Sequence, residues 1–158
     1  MQRDNEFLEL AVQLAYVNAE QGGRPFGAVV VRDGEVIAEA VNQVIETNDP
    51  TAHAELLAVR VASKKLGSVS LEGCSVFASG HPCPMCMAAM RLAGVNEVTY
   101  GHSNEDGAPF GLSTADIFAD LAKPFDEQSM RIRYVPTRID GKPGLYEYWK
   151  QRAGTKSN

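Results

Sequence analysis

Apolar residues in the first 65 positions follow two different periods. Residues 7–18 place their apolar side chains at helical spacing, which predicts an α-helix with one buried stripe. Two apolar runs, 28–31 and 36–41, flank Asp33-Gly34, a dipeptide typical of a tight β-hairpin. The nearly continuous apolar stretch from about Ala52 to Lys65 then predicts a second helix, which ends before Gly67 and is buried on more than one side.

The second half of the chain alternates short strand and helix patterns. We expect a strand at 75–79, a helix from Pro84 to about Ala93 and a strand at 97–100. Such a unit is a right-handed crossover between parallel strands. Ser113-Thr114 offers an N-cap for a helix through Leu121, a fifth strand at 131–135 follows, and a short helix around Trp149 closes the chain. The pattern predicts a three-layer α/β/α sandwich with a mixed five-stranded sheet, in which strands one and two are antiparallel and strands three to five are parallel.

Composition narrows the class of protein. The 158 residues, 44% of them hydrophobic and 22% charged, are expected to form one soluble domain over 1–158. No apolar run approaches a membrane span, and three cysteines make no disulfide framework, so we expect a cytoplasmic protein without a membrane partner. The net charge of -5 speaks against a nucleic-acid partner and favours a small, uncharged substrate.

Two short motifs carry the chemistry: His53-Ala54-Glu55, and the run Pro82-Cys83-Pro84-Met85-Cys86. One histidine and two cysteines make three zinc ligands, and a catalytic zinc site leaves its fourth position open. Cys83 and Cys86 would share the first turn of a helix that a proline begins. His53 and Glu55, two residues apart, can converge only at a helix end. We therefore place zinc between two helix N-termini, near positions 52 and 84.

Glu55 has a different predicted role, because it cannot complete the same metal cage. Zinc lowers the pKa of a water that it binds toward about 7. The Glu55 carboxylate can take a proton from that water, pass it to a ring nitrogen of a substrate and then protonate a departing amine. These steps are a hydrolytic deamination, and H-x-E with P-C-x-x-C is the signature of zinc deaminases.

With these motifs the chain resembles the cytidine and deoxycytidylate deaminase superfamily, in particular its bacterial guanine deaminase branch and, next to it, the tRNA adenosine deaminases. The resemblance runs from residues 25–28 through Asn42, 48–55 and 82–86 to Lys123-Pro124. It implies one zinc per subunit, held by His53, Cys83 and Cys86, with Glu55 as the acid/base.

The resemblance also implies substrate contacts and an assembly. Asn42 is similar to the amide that hydrogen-bonds the base, Phe26 to a wall of the pocket, and the backbone N–H of Ala54 to the donor for a substrate carbonyl. The family implies a homodimer. It further implies that a C-terminal segment, about 140–158, covers a pocket or is exchanged between subunits.

Three positions differ from the guanine deaminase branch. His81 stands where glutamate is usual, Leu92 replaces a typical tryptophan, and Thr114 aligns with the aspartate that assists guanine deamination. Asp116 could supply that carboxylate from one turn further on, although a solvated aspartate in a first helical turn is the plainer interpretation. Trp149 could act as a lid, or it could simply pack the last helix. His81 is interpreted as a residue that lines the pocket or supports a ligand.

The expected function is hydrolytic deamination of a free nucleobase or a similar small aminated ring, with guanine as the best single choice and purine catabolism as the setting. Deamination of cytosine or of another small ring stays open, as does tRNA adenosine deamination. A different class also stays open, namely a noncatalytic protein in which the cysteine pair serves a structural zinc or a redox reaction.

Overall fold

The computed structural model describes residues 2 to 153, which form two compact units that meet in the chain between Ala122 and Lys123. The helices of the first unit are α1 Gln2–Glu20, α2 Val44–Thr47, α3 Ala54–Leu66, α4 Pro84–Ala93, α5 Asn104–Gly107 and α6 Ala115–Leu121, with a 3-10 turn at Ala108–Phe110. Its strands are β1 Gly27–Arg32, β2 Glu35–Val41, β3 Cys74–Ala78 and β4 Glu97–Tyr100. The second unit contains a 3-10 turn, Phe125–Glu127, and helix α7 Leu145–Ala153.

The four strands form one mixed sheet in the order β2-β1-β3-β4. β1 is antiparallel to both β2 and β3, and β3 is parallel to β4, so the predicted hairpin and crossover are confirmed. The hairpin turns at Asp33 and Gly34, whose φ angles of 52° and 76° are both in the left-handed region. A two-residue turn that matches the sheet twist requires this conformation, and an Asp-Gly pair adopts it readily.

The two faces of the sheet carry separate apolar clusters, because successive side chains of a strand point to opposite faces. Val29, Val31 and Phe77 pack with Ala11 against α1. Ala28, Val30 and Val76 belong to the other cluster, which also contains buried residues of α3 and α4. The first unit is therefore the predicted three-layer arrangement.

The fifth strand of the prediction is wrong. Residues 131–135 form no strand in the part of the chain that the structure describes, and the sheet has four strands. The segment has the composition of a strand, but β-propensity takes effect only where a strand has a neighbour to pair with and a surface to pack on. Its apolar side chains lack such a surface, since Tyr134 and Val135 are 89% and 68% exposed.

The helix boundaries near the predicted zinc site agree closely with the sequence. α4 begins at Pro84 as expected, and α3 begins at Ala54 rather than near Ala52. α3 ends at Gly67, where a left-handed φ of 62° lets the chain turn and the N–H bonds to Lys64 O and Ser63 O. Helix α7 confirms the predicted C-terminal helix around Trp149. In the described part of the chain, no helix combines the length and the apolar character that crossing a membrane requires.

Gly27 allows α1 to lie directly on the sheet. A Cβ atom at this position would press on the carbonyl oxygen of Ala11 and would stand 2.8 Å from Cβ of Leu14. Backbone atoms cannot yield to such a contact as the end of a flexible side chain can. The close approach of α1 to β1 therefore depends on the missing side chain at the first residue of β1.

We expect Gly27→Ala to lower the free energy of unfolding by about 1–3 kcal/mol, because overpacking moves α1 away from β1. Gly144→Ala is the control, since a Cβ there would meet no atom closer than 3.8 Å and the change should stay within about 0.5 kcal/mol. Urea denaturation of both variants measures the difference. Equal stabilities would show that α1 does not need the small residue.

Candidate functional site

Two helix N-termini meet at the site. His53 is the N-cap of α3 and Cys83 is the N-cap of α4, and both have extended backbone angles. Cys86 follows in the first turn of α4, after Pro84 has opened the helix. Proline suits this position because the first N–H groups of a helix have no partner inside it. The two motifs thus place three potential ligand side chains at adjoining helix tips.

The three side chains form a compact triangle of donor atoms. Cys83 Sγ lies 3.4 Å from Nδ1 of His53 and 3.5 Å from Sγ of Cys86, and Cys86 Sγ lies 3.6 Å from the same nitrogen. Zn–S bonds of about 2.3 Å and Zn–N bonds of about 2.0–2.1 Å at tetrahedral angles separate ligand atoms by about 3.5–3.8 Å. The triangle therefore fits one face of a zinc tetrahedron.

In residues 2 to 153, His53, Cys83 and Cys86 are the group of side chains suited to hold a metal ion, and no fourth protein ligand joins them. Cys74 lies apart at the start of β3, fully buried. The Nδ1–H of His102 donates to Ser79 O at 2.7 Å. A structural site with four protein ligands is not what the geometry shows, and the three-ligand arrangement is that of a catalytic site.

Glu55 lies beside this triangle. Its Oε2 is 3.6 Å from Sγ of Cys86, and the residue is only 6% exposed. Burial raises the pKa of the Glu55 carboxyl, because the charged form loses its hydration. A carboxyl group in this condition holds a proton more readily than one in solvent, which suits a group that must both accept and release protons.

The two thiols differ in their tendency to ionise. A hydrogen bond from Cys86, with another from His53, lowers the pKa of Cys83 to about 4. The same interaction with Cys83 raises the pKa of Cys86, so the pair favours one shared negative charge. The hydrogen bond to Cys83 also raises the pKa of His53. The Cys83 thiolate is therefore the anion that a cation between the three side chains would bind.

The loop before α3 fixes the position of His53. The Asp49 carboxylate accepts hydrogen bonds from the hydroxyl of Thr51 at 2.7 Å and from its N–H at 2.8 Å, and these bonds lower the pKa of Asp49. Gln43 N–H donates to Ala52 O at 2.9 Å and ties the same loop to the end of β2. His53 therefore stands on a braced turn rather than on a free loop.

A cavity of about 190 Å³ lies in front of these groups. It is smaller than the roughly 300–1,000 Å³ of sites for drug-sized ligands, and so suits a single small ring system. Its walls are His53, Glu55, Cys83, Arg24, Phe26, Asn42, His81, Gly111, Leu112, Ser113 and Thr114. Most of the residues that the sequence predicted for the site thus surround one cavity.

Asn42 presents a defined chemical group to the cavity. It is 4% exposed, and its side-chain oxygen accepts a hydrogen bond from Val44 N–H at 3.1 Å. The NH₂ group is therefore the part of the amide that can serve a ligand, and it can only donate. Phe26 forms a neighbouring wall, and its ring lies so close to Gly80 that a Cβ there would come within 2.9 Å of it.

His81 lines the cavity from the segment between β3 and α4. Its Nδ1 is 3.1 Å from Pro82 O, and a carbonyl can only accept, so Nδ1 carries the proton. The ring makes edge contacts with Tyr100 and Phe118 at centroid distances of 4.7 and 5.4 Å. These contacts hold the His81 ring in the cavity wall.

The other predicted residues have different positions. Ala54 does not line the cavity; its side chain is fully buried, and its N–H is one of the unpaired donors that begin α3. Asp116 is exposed in the first turn of α6 and is not part of the cavity wall. Trp149 belongs to α7 in the second unit, where it is 67% exposed. Leu92 is 88% exposed on α4.

Sequence reasoning missed Asn18, a residue of α1 whose side chain supports the wall of the cavity. The residue is 8% exposed on the buried stripe of α1, and its Nδ2 donates to Arg24 O at 2.7 Å and to Asn42 O at 2.9 Å. It therefore holds two residues of the cavity wall. The sequence did contain one signal for this residue. Asn18 follows Ala11 and Ala15 at the spacing of one helix face, and both alanines are buried.

A second cavity, of about 300 Å³, lies next to the first. Phe26, His81 and Leu112 line both cavities and so form the partition between them. The second cavity is otherwise lined by residues of α1, by residues between His102 and Phe110, and by Pro25, Ser79 and Gly80. None of the four motif residues lines it.

Comparison with known proteins identifies the family. The model of the cytidine and deoxycytidylate deaminase zinc-binding region matches residues 1–102, which include all four motif residues. The chain therefore belongs to the cytidine and deoxycytidylate deaminase family, as the resemblance in the motifs indicated.

Individual relatives cover nearly all of the chain. Guanine deaminase from Bacillus subtilis (strain 168) is 41% identical over 152 residues, 95% of this chain and 96% of that protein. The tRNA-specific adenosine deaminase of Aquifex aeolicus (strain VF5) is 32% identical over 145 residues, 92% of this chain and 93% of that protein.

Solved structures agree with the sequence relatives. The X-ray structure of guanine deaminase from Bacillus subtilis has a TM-score of 0.82 and 36% identity, and the match covers 98% of this chain and 94% of that one. The structure of NE0047 in complex with 2,6-diaminopurine has a TM-score of 0.66 and 29% identity, covering 68% of this chain and 61% of that one. That neighbour thus binds a nucleobase-like molecule.

We expect Asn18→Ala to lower the free energy of unfolding by about 1–3 kcal/mol, because the Asn42 carbonyl loses its Nδ2 donor and the Arg24 carbonyl keeps the N–H of Phe26 but loses its bond to Asn18. Gln13→Ala is the matched control on an exposed position of α1 and should change stability by less than about 0.5 kcal/mol. Chemical denaturation measures both. A loss no larger than that of the control would contradict the bracing role.

Proposed function

We propose that this protein is a zinc-dependent hydrolytic deaminase of a free nucleobase or similar small aminated ring, and that guanine is its substrate. The reaction converts guanine and water to xanthine and ammonia. The observation that carries the proposal is a buried carboxyl, Glu55, beside three convergent metal-binding side chains in a cavity of about 190 Å³. The identity of 41% with a guanine deaminase supports the choice of ring.

The proposed site assigns a role to each residue. His53, Cys83 and Cys86 hold one zinc per subunit, and zinc when bound supplies a Lewis acid that lowers the pKa of water at its open position. Glu55 would accept one proton of the attacking water and deliver it to a ring nitrogen while the water oxygen bonds to the ring carbon. It would then take the second proton from the added hydroxyl and give it to the amine, so that the C–N bond breaks as the C=O bond forms. Both protons of the water thus end in the products, and Glu55 returns to the state in which it began.

The remaining residues bind and orient the ring. The NH₂ of Asn42 donates to an acceptor on the ring, and the N–H of Ala54 at the tip of α3 donates to a substrate carbonyl. Phe26 supplies an apolar wall, and His81 closes the neighbouring side. Asp116 is the candidate for a second carboxylate, and Trp149 is the candidate for a lid.

Assembly and location form part of the proposal. A homodimer is supported by the large apolar side chains Met87 and Leu92, which α4 exposes to 39% and 88%. Segment 140–158 is proposed to cover a pocket or to be exchanged between subunits; it is described as far as Ala153, and residues 154–158 lie outside the described part. Three free thiols agree with a cytoplasmic protein, and guanine deamination belongs to purine catabolism. A monomeric mass in light scattering would contradict the dimer.

Deamination of adenosine in tRNA is the second candidate, favoured by the 32% identity with the Aquifex aeolicus enzyme. An RNA substrate calls for a basic surface that neutralises phosphates, and this chain has a net charge of -5. The charge and the small cavity support a free ring over an RNA loop. Deamination of an anticodon stem-loop without turnover of any free base would reverse this choice.

We expect Cys86→Ala to lose zinc and stability together, because metal binding to the folded state adds to the free energy of unfolding. Cys74→Ala is the control for loss of a buried thiol, and should keep its zinc. Elemental analysis gives the zinc content, and thermal unfolding with and without a chelator gives the stability. Unchanged zinc content in Cys86→Ala would contradict the assignment of the ligands.

We expect guanine to release ammonia with the zinc-loaded protein, in a panel that includes cytosine, adenine, isocytosine and aminated pterins and triazines. Glu55→Gln should retain zinc and lose activity by about 10²-fold or more, because the amide cannot carry the proton. Ammonia release and metal analysis on the same samples measure both quantities. Wild-type activity in the Gln variant would exclude Glu55 as the acid/base, and a panel without turnover would refute the proposed function.

A further inference from the structure

Thr114 carries a hydroxyl group that the fold leaves without a partner. Among the residues that the structure describes, its Oγ1 is the buried side-chain oxygen or nitrogen atom that makes no hydrogen bond. The backbone of the same residue is satisfied, since its N–H donates to Oδ1 of Asn104 at 3.0 Å and its carbonyl accepts from Ile117 and Phe118. Buried polar groups are normally paired, and an unpaired one destabilises the native state.

The helix that follows does not use this hydroxyl. Thr114 is the N-cap residue of α6, but its side chain makes no capping hydrogen bond. The hydroxyl of Ser113 accepts the N–H of Ala115 instead, at 3.3 Å. A structural role at the helix start, the ordinary explanation for a threonine at this position, is therefore absent.

Thr114 lines the cavity in front of Glu55. Rotation about the Cα–Cβ bond exchanges the positions of its methyl and hydroxyl groups between staggered rotamers, so a ligand in the cavity can provide the partner that the protein does not. The bond from Thr114 N–H to Asn104 keeps the backbone at the cavity edge during this rotation. The backbone of Thr114 is thus fixed, while its hydroxyl can rotate to form a hydrogen bond with a ligand.

Two residues of the cavity wall, Ser113 and Thr114, carry a hydroxyl. The Ser113 hydroxyl already accepts the N–H of Ala115, whereas that of Thr114 makes no hydrogen bond within the described residues. Asn42 offers a donor, Glu55 a carboxyl and Arg24 a cation, whereas an alcohol is neutral and can both donate and accept. Thr114 also lies outside residues 1–102, the part that the family model matches. The zinc-binding motifs and this wall therefore come from different parts of the chain.

We propose that Thr114 is a specificity-determining residue whose hydroxyl forms a hydrogen bond with a polar atom on the edge of the substrate ring. This inference rests on the proposed function, and it concerns binding rather than proton transfer, because an alcohol stays un-ionised at neutral pH. The ligand class is an uncharged aminated heterocycle with a nitrogen or oxygen atom on the side that faces the start of α6.

Thr114→Val, which keeps the shape and removes the hydroxyl, tests the assignment by two independent readouts, the KM and the melting temperature without ligand. With zinc-loaded protein and guanine, or whichever ring the wild type turns over fastest, KM should rise about three- to tenfold, the loss of one hydrogen bond, with kcat nearly unchanged. The melting temperature of the ligand-free variant should equal or exceed that of the wild type, since an unpaired buried hydroxyl has been removed.

Two further variants sharpen the test. Thr114→Ser retains a hydroxyl and should return KM toward the wild-type value. Thr99→Val removes a hydroxyl from a partly buried threonine on β4 that does not line the cavity, and KM should not change.

The outcomes separate this inference from the proposed function. An active wild type with an unchanged KM in Thr114→Val would overturn the inference alone, as would a fall in the melting temperature of that variant without ligand, which would mean that the hydroxyl has a structural partner. A wild type that neither binds nor turns over any ring of the panel, by thermal shift and ammonia release, would overturn both.

Discussion

The site depends on two helices that begin at the same place. A side chain in the middle of a helix can face only one direction, whereas the first residues can reach over the tip because side chains tilt toward the N-terminus. His53 and Glu55 use this freedom at the start of α3, and Cys83 and Cys86 use it at the start of α4. The sheet between α1 and the α3–α4 layer keeps both tips in position.

Holding acidic groups at buried helix tips has an electrostatic cost that the fold partly offsets. Burial raises the pKa of Glu55, so the carboxylate is less stable there than in water. The unpaired N–H groups and the positive end of the helix dipole at each tip favour negative charge. A metal cation between His53, Cys83 and Cys86 would add a further positive charge next to these groups.

The sequence predicted the features that depend on local rules. Asp33-Gly34 specified the hairpin, Pro84 the start of α4 and Gly67 the end of α3, because each of these residues has a backbone preference that few others share. The fifth strand could not be predicted in this way, because residues 131–135 have the composition of a strand and lack a neighbour to pair with in the described structure. Asn18 was missed for a related reason: its partners, the carbonyls of Arg24 and Asn42, become visible only when α1 lies on the sheet.

The partition formed by Phe26, His81 and Leu112 separates the motif residues from a larger apolar space. These three side chains limit the size of the ring that fits beside the motif residues, and they take no part in bond breaking. A smaller side chain at Leu112 would enlarge the chamber without replacing a metal-binding side chain or Glu55. The boundary of the chamber and the metal-binding triangle therefore belong to different residues.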